Sequence, residues 1–199
     1  MPTMSSTVNK RIVVTGSTGA GKTTLARSLS KLLDIPHVEL DALNWDADWT
    51  PVYPTEVFRQ RVQDALAIDA WVADGNYSAV RDLVWPKATT LLWLDYPLRV
   101  LAWRLLVRTL RRTLRKEELW NGNRERFFTQ FLSRDSLFLW LLRSYWRRRR
   151  TYPIALKQPE HSHLQVSRLR SPKETREWFS AMERRIAESS RERGDPLAG

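Results

Sequence analysis

The sequence predicts an α/β fold in which a parallel sheet of about five strands is flanked by helices. Short, almost wholly apolar strands alternate with helices along the chain, which is the pattern of a sheet covered on both faces. A glycine-rich segment joins the first strand to the first helix. The chain has 199 residues, 42% of them hydrophobic, and is long enough to bury a core without disulfides.

The composition excludes several classes of function. The chain has no cysteine and three histidines, which excludes thiol catalysis and cysteine-zinc sites and argues against a transition-metal site. Residues 1–10 are polar and lack the apolar run of a signal peptide, so they are predicted to form a flexible N-terminus. Because arginines interrupt the longest apolar stretches, we expect no membrane helix and a cytoplasmic location.

The strands and helices of the first half follow from the spacing of apolar residues. Short apolar runs predict strands, and apolar residues three and four positions apart predict helices. In order, the predicted elements are strand 11–15, helix 22–33 stopped by Pro36, strand 37–40, a helix capped by Thr55, a strand from Trp71 that ends at Asp74, and strand 90–94.

The second half is predicted to be mainly helical. Pro97 begins a long helix, and the Asn121-Gly122 turn separates it from a second arginine-rich helical run, which together predict a helical hairpin. Ser171 and Glu174 have the spacing of a capping box at the start of the last helix. The predicted elements are a helix at about 98–115, a helical run at 125–150, a strand at 164–166 and a final helix from residue 172.

A single domain is predicted over residues 11–188, followed by a disordered tail at 189–199. Its distinctive part is residues 99–150, a basic helical lid or hairpin insertion. That segment contains 15 basic and four acidic residues and therefore carries the whole net charge of +11. A basic segment on a neutral domain needs an anionic partner, and nucleotide phosphates, nucleic acid or an acidic membrane surface all qualify.

The glycine-rich segment matches the phosphate-loop pattern GxxxxGK[ST], with a strand before it and a helix after it. Its backbone N–H groups and the following helix dipole would hold phosphates, while Lys22 would reach the terminal phosphates and Thr23 would hold magnesium. A purely structural glycine-rich turn is the alternative. The predicted nucleotide-binding residues are Gly16, Ser17, Thr18, Gly19, Ala20, Gly21, Lys22, Thr23 and Thr24.

Asp74 ends the third predicted strand, immediately before Gly75. Ligands of parallel sheets bind at the carboxyl ends of strands, so this carboxylate is placed to hold Mg²⁺, through a bound water. The alternative is an ordinary turn aspartate, because Asp-Gly is a common turn signal.

Several segments resemble a known family. GSTGAGKTT, WVADGNYS and LLWLDYPLRVLAWRLLVR are similar to the nucleoside monophosphate kinase group of P-loop NTPases. DALNW, DGNYSAVRDLVWP, WLDYP and ELWNGNRERF resemble, more closely, the small bacterial proteins labelled adenylate kinase or DNA topology modulation protein. The resemblance covers roughly residues 11–180. It implies the P-loop NTPase fold, ATP with Mg²⁺ as the phosphoryl donor, and an arginine-rich helical lid.

The resemblance is incomplete on the acceptor side. Adenylate kinases carry an arginine four residues after the strand-end aspartate, where this chain has Ser78 and the nearest arginine is Arg81. Their threonine-glycine acceptor motif is also absent. Asp41 instead resembles the aspartate with which small-molecule kinases of this superfamily meet the acceptor hydroxyl; a helix cap or turn is the alternative. The predicted acceptor-binding residues are Asp41, Asn76, Tyr77 and Arg81.

Resemblance to the kinase lid also identifies Arg108 and Arg112 as catalytic arginines, with Arg124 or Arg126 as further candidates. A guanidinium binds two phosphate oxygens and neutralises charge on a transferring phosphoryl group. The alternative is a solvated helix face. Arg168 follows the last strand, where P-loop kinases commonly contact adenine, and is predicted to stack on that ring.

The predicted function is therefore that of an ATP-dependent kinase that transfers the terminal phosphoryl group of Mg-ATP to a small-molecule or nucleotide acceptor. Its predicted catalytic residues are Lys22, Asp41, Arg108 and Arg112. The alternative is a nucleotide-dependent regulator with slow ATPase activity that binds nucleic acid through residues 99–150.

Overall fold

The structure is a computed structural model that describes residues 10–46, 50–115 and 137–193. Within these residues, five strands form one parallel sheet in the order β2-β3-β1-β4-β5. The predicted α/β class and five-stranded parallel sheet are confirmed. The strands are β1 Arg11–Gly16, β2 His37–Glu39, β3 Trp71–Asp74, β4 Thr90–Leu94 and β5 Gln165–Leu169.

Helices cover both faces of the sheet in the described part of the chain. Short 3-10 turns occur at Ser78–Val80 and Pro159–His161. The α-helices are α1 Lys22–Leu33, α2 Leu40–Asn44, α3 Thr55–Ala65, α4 Arg81–Val84, α5 Leu98–Arg115, α6 Leu137–Ala155 and α7 Pro172–Arg193. Each of these helices is too short or too polar to traverse a lipid bilayer.

The central strand β1 shows how the two faces are filled. Ile12 and Val14 pack with Leu29 of α1 on one face. Val13, between them, packs with Phe58 of α3 on the other face. Successive side chains of a strand point to opposite faces, so a continuous apolar run fills two cores at once. Because β3, β1 and β4 are neighbours in a parallel sheet, their carboxyl ends lie side by side between the two cores.

Three helix boundaries differ from the sequence-based prediction. Thr55 is the first residue of α3, preceded by Pro54, and no side chain caps that helix, so the predicted Thr55 cap is wrong. Helix α6 continues past Arg150 to Ala155, with Pro153 inside it. Helix α7 continues past residue 188, the predicted end of the domain, as far as Arg193.

The predicted helical hairpin is only partly described. Helices α5 and α6 pack against each other. The Asn121-Gly122 turn lies outside the described residues, as do residues 1–9 of the predicted flexible N-terminus and the tail after Arg193. The last strand, β5, begins at Gln165 and runs to Leu169, whereas the prediction ended it at residue 166.

Candidate active site

The glycine-rich loop leaves β1 at the centre of the sheet. A Cβ atom on Gly19, whose φ is +78°, would lie 2.8 Å from the carbonyl oxygen of Leu101 in α5. Gly21, with φ of +90°, immediately precedes α1. These conformations favour glycine, and the close approach of α5 allows no side chain at residue 19. The loop therefore places the N-terminus of the 12-residue helix α1 next to the carboxyl end of β1. A helix N-terminus is a favourable site for a phosphate.

Of the predicted phosphate-loop residues, Gly16 ends β1, residues 17–21 form the loop, and Lys22 and Thr23 begin α1. Ser17 and Ala20 are buried, and Thr24 is exposed on the first turn of the helix. Arg104 of α5 donates a hydrogen bond from Nη1 to the carbonyl oxygen of Ala20 (3.1 Å). The arginine-rich helix α5 thus supports the loop directly.

Lys22 lies among both carboxylates and arginines. Burial lowers the pKa of Lys22 from its ordinary value of 10.5, and the positive charges of Arg148 and Arg108 act in the same direction. The negative charges of Asp41 and Asp74 oppose this shift. The fold therefore brings Lys22 within electrostatic reach of Asp41 and Asp74, and two arginines add positive potential where phosphates would bind.

Asp74 connects the loop to the second strand. Its buried carboxylate accepts a hydrogen bond from Thr23 Oγ1 (2.7 Å), and its other oxygen lies 2.6 Å from His37 Nε2. A threonine hydroxyl beside a carboxylate is the donor set that holds Mg²⁺ directly or through water in P-loop proteins. Thr23 and Asp74 therefore fit the ion that the fold implies. No cluster of three or more carboxylate or imidazole ligands occurs in the described part of the chain.

His37 is a site residue that the sequence analysis missed. It is on β2, and β2 pairs with β3 so that His37 is opposite Val72, two residues before Asp74. The side chain reaches the Asp74 carboxylate along the sheet. The sequence shows a polar residue, His37, on a short predicted strand. Its contact with Asp74 could not be predicted without knowing that β2 pairs with β3.

Asp41 lies in the first turn of α2, directly after β2. Tyr77 donates its hydroxyl hydrogen to Asp41 Oδ1 (2.7 Å), and the Tyr77 oxygen accepts a hydrogen bond from Trp45 Nε1 (3.0 Å). Burial raises the pKa of Tyr77, as does the charge of Asp41, so the phenol remains a neutral donor. No side chain caps α2, so Asp41 is not held as a helix cap. Its carboxylate is oriented by Tyr77 instead.

Asn76, a predicted acceptor-binding residue, is engaged by the start of the phosphate loop. Its Oδ1 accepts hydrogen bonds from Thr15 Oγ1 (2.6 Å) and from the backbone N–H of Gly16 (3.0 Å). Its Nδ2 donates to the Gly16 carbonyl oxygen. Thr15 in turn is 2.7 Å from the hydroxyl of Tyr152 in α6. These contacts give Asn76 a role in fixing the loop.

Arg148 of α6 is a second site residue that was missed. It is 5% exposed, and its Nη1 donates to Ser17 Oγ of the phosphate loop (3.2 Å) and to Ser144 Oγ (3.2 Å). Among the described side chains of α6, the buried ones are Leu141, Ser144, Tyr145, Arg148 and Tyr152. Their spacing of three and four marks one helix face, so the pattern placed Arg148 inside the protein. Because Arg148 lies in a run of four consecutive arginines, the sequence did not show that it belongs to the buried face of the helix.

The remaining predicted arginines have different surroundings. Arg108 is near Lys22, because its charge contributes to the lowered pKa of Lys22. The side chain of Arg112, and all of Arg124 and Arg126, lie outside the described residues. Arg168 donates from Nη2 to Asp95 Oδ2 (2.6 Å), and its guanidinium carbon lies 4.4 Å from the centre of the Trp93 ring. Its predicted contact with adenine remains a prediction.

Comparisons with known proteins show the fold. No family model matches the chain, and no curated protein matches its sequence. Among solved structures, a shikimate kinase from Bacteroides thetaiotaomicron is similar with a TM-score of 0.50 and 16% identity, over 89% of this chain and 98% of that chain. A gluconokinase from Sinorhizobium meliloti 1021 is similar with a TM-score of 0.49 and 16% identity, over 92% and 98% of the two chains. The chain has the P-loop kinase fold.

Proposed function

We propose that this protein is an ATP-dependent phosphotransferase that moves the terminal phosphoryl group of ATP to a hydroxyl group held at Asp41. The observation that carries the proposal is that Asp41, in the helix that follows β2, lies within electrostatic reach of Lys22 of the phosphate loop. A phosphate bound at Lys22 and a hydroxyl bound at Asp41 would be neighbours. Positioning and charge neutralisation supply most of the catalysis in phosphoryl transfer.

The donor side of the reaction uses residues of the loop. The backbone of the loop and the N-terminus of α1 bind the phosphates, and the ammonium group of Lys22 contacts their oxygens. Thr23 and Asp74 would hold Mg²⁺, which neutralises phosphate charge when bound. His37 keeps the Asp74 carboxylate in place through its 2.6 Å contact. These roles support ATP with Mg²⁺ as the donor.

The acceptor side uses Asp41 and Tyr77. The acceptor oxygen forms a bond to the terminal phosphorus while the bond from that phosphorus to the bridging oxygen breaks, which releases ADP. Asp41 orients the acceptor hydroxyl and accepts its proton late in the transfer. Tyr77 holds Asp41 through its 2.7 Å hydrogen bond, so the free carboxylate oxygen faces a constant direction.

A cavity of about 360 Å³ adjoins Tyr77 and suits the acceptor. Among the described residues, the side chains that line it are uncharged: Asn44, Pro51, Val52, Tyr53, Thr55, Phe58, Tyr77 and Ala79. A phosphate monoester would need basic side chains in such a cavity, so the lining favours an uncharged hydroxyl compound over a nucleoside monophosphate. The substrate class proposed is therefore a small alcohol, such as a polyol or a nucleoside.

The test is ADP formation from Mg-ATP without acceptor, and with polyols, nucleosides, hydroxy acids, nucleoside monophosphates and single-stranded DNA. We expect stimulation by an uncharged hydroxyl compound and loss of that stimulation in Asp41→Asn. Asp46→Asn is the matched control, because Asp46 is nearby in sequence and is paired with Arg61. Stimulation by DNA alone, decreasing steeply with salt, would contradict the kinase proposal and support the nucleic-acid alternative.

A further inference from the structure

Two arginines near the phosphate loop lack a carboxylate partner among the described residues. Arg148 contacts the neutral hydroxyls of Ser17 and Ser144, and Arg81 has no hydrogen-bond or ion-pair partner there. Paired arginines are found elsewhere in the structure, as Arg59 with Asp82 and Arg149 with Asp95 show. Positive charge without a carboxylate is therefore concentrated beside the loop.

Arg148 is held on two sides. Its guanidinium carbon lies 5.0 Å from the centre of the Trp140 ring, and its Nη1 reaches Ser17 in the loop. Burial lowers the pKa of Arg148, and the positive charges of Arg147 and Arg81 act in the same direction, whereas Tyr152 opposes the shift. An arginine stays charged in proteins, so this position opposes folding unless an anion joins it.

Arg81 is the first residue of α4 and stacks on two aromatic rings. Its guanidinium carbon lies 4.9 Å from the Trp85 ring centre and 5.3 Å from the Tyr152 ring centre. Stacking on aromatic rings leaves the N–H groups at the edge of a guanidinium free to bind oxygens. Arg81 also lines a small cleft with Asn76 and Tyr77, next to the start of the loop.

Tyr152 connects the two arginines to the loop. The guanidinium of Arg81 stacks on the Tyr152 ring. The Tyr152 hydroxyl is 2.7 Å from Thr15 Oγ1 near the end of β1, and Tyr152 lies one helical turn after Arg148. Two cations held close together, with a phosphate loop beside them, are the arrangement that binds a doubly charged phosphate.

We propose that Arg81 and Arg148, which Tyr152 brings together, form one anion site that binds the terminal phosphate of the nucleotide. This inference rests on the proposed function. It adds that the bound phosphate neutralises a charge that the folded protein otherwise carries at a cost in stability. The pair should therefore distinguish a nucleoside triphosphate from a diphosphate.

The test compares binding of Mg-ADP and of a non-hydrolysable Mg-ATP analogue by calorimetry, together with the thermal stability of the free protein. We expect Arg148→Met to weaken binding of the analogue about 10- to 100-fold, the loss of one or two charge-assisted hydrogen bonds, and to weaken ADP binding much less. We also expect the unliganded variant to be at least as stable as the wild type.

Arg147→Met is the matched control, since Arg147 precedes Arg148 on the same helix and is exposed. Arg81→Met is the second variant and should show the same loss of preference for the triphosphate if Arg148→Met does not fold. The inference is overturned if both variants bind the two nucleotides as the wild type does. Lys22→Ala distinguishes failure of this inference from failure of the proposed function. If Lys22→Ala bound both nucleotides with wild-type affinity, the proposed function itself would be contradicted.

Discussion

Arg148 and Arg149 are neighbours on one helix and lie in opposite electrostatic environments. Arg149 donates from Nε to Asp95 Oδ1 (2.7 Å), and Arg168 donates to the other oxygen of the same carboxylate. Arg148 faces the phosphate loop and meets only hydroxyls and an aromatic ring. The Asp95 cluster, formed by Asp95, Arg149 and Arg168, has its own counter-ion, whereas Arg148 has no carboxylate partner among the described residues.

The difference indicates what each region contributes. The Asp95 carboxylate is 4% exposed and has a guanidinium on each of its oxygens, so its charges are satisfied within the protein. Arg148, beside the loop, keeps a positive charge that an anionic ligand would neutralise. We therefore expect loss of the Asp95 carboxylate to alter stability and changes beside the loop to alter nucleotide binding and turnover.

The largest effect is expected at Lys22. Lys22→Met should lower the rate of ADP formation about 10³-fold, because a positioned charge on the transferring phosphoryl group is lost. The free energy of unfolding should change much less. Steady-state kinetics and urea unfolding would measure the two effects, with Lys31→Met, an exposed change on the same helix, as the control. A variant that retained near wild-type turnover would contradict the assignment of this loop as the catalytic site.

Asp95→Asn tests the other region. Removing the negative charge leaves Arg149 and Arg168 without a counter-ion, and we expect a loss of about 2–3 kcal/mol in the free energy of unfolding. That value is below the range for fully buried pairs because the two arginines are 33% and 38% exposed. Urea unfolding measures it. A loss of nucleotide affinity without a loss of stability would reverse the comparison between the two regions.

Gly19→Ala examines the packing of the loop on α5. The new Cβ would lie 2.8 Å from the Leu101 carbonyl oxygen at a φ of +78°, and we expect destabilisation of about 1–3 kcal/mol. Gly21→Ala is a matched control, because Gly21 also has a positive φ but its nearest neighbour, Arg104 Nη1, is 3.6 Å away. Thermal or urea unfolding of both variants isolates the contact with α5. Equal effects would show that backbone conformation alone matters.

The smallest effect on stability is expected at Asp82. Its ion pair with Arg59 is more exposed than the ion pairs of the Asp95 cluster. The hydrogen bond from Arg59 lowers the pKa of Asp82 below its ordinary value of 3.8. The stabilisation is therefore complete above that value and is lost as the pH falls through the lowered pKa. Since Asp82 is 61% exposed, the contribution should be under about 1 kcal/mol.

Asp82→Asn should remove this part of the pH dependence between neutral and strongly acidic solution. Urea unfolding at a series of pH values would show it as a difference between the wild type and the variant. A difference as large as that of Asp95→Asn would mean that exposure does not control the strength of these ion pairs, and the comparison of the two would fail.

Much of the fold was predictable because local patterns determine it. The limits of β4 and α5 follow from an unbroken apolar run and from helical spacing after Pro97, and both match the structure. The phosphate loop was equally predictable, since the pattern GxxxxGK[ST] requires a strand before it and a helix after it, and the structure has both. The end of the last helix could not be predicted, because the small and polar residues from Ser189 onward have weak helix preferences. In the structure the helix continues to Arg193.

The site divides along the same line. Lys22, Thr23 and Asp74 were predicted from the sequence because each lies at a loop or strand end whose chemistry is local, and Asp41 was predicted from the family resemblance. Only the tertiary structure added His37 and Arg148. His37 reaches Asp74 because β2 pairs with β3, and Arg148 reaches Ser17 because α6 packs over the loop. Such contacts join residues far apart in the chain, and spacing carries information only about near neighbours. The sequence by itself determined the fold and the phosphate loop, and the packing of α6 decided which arginine lies beside it.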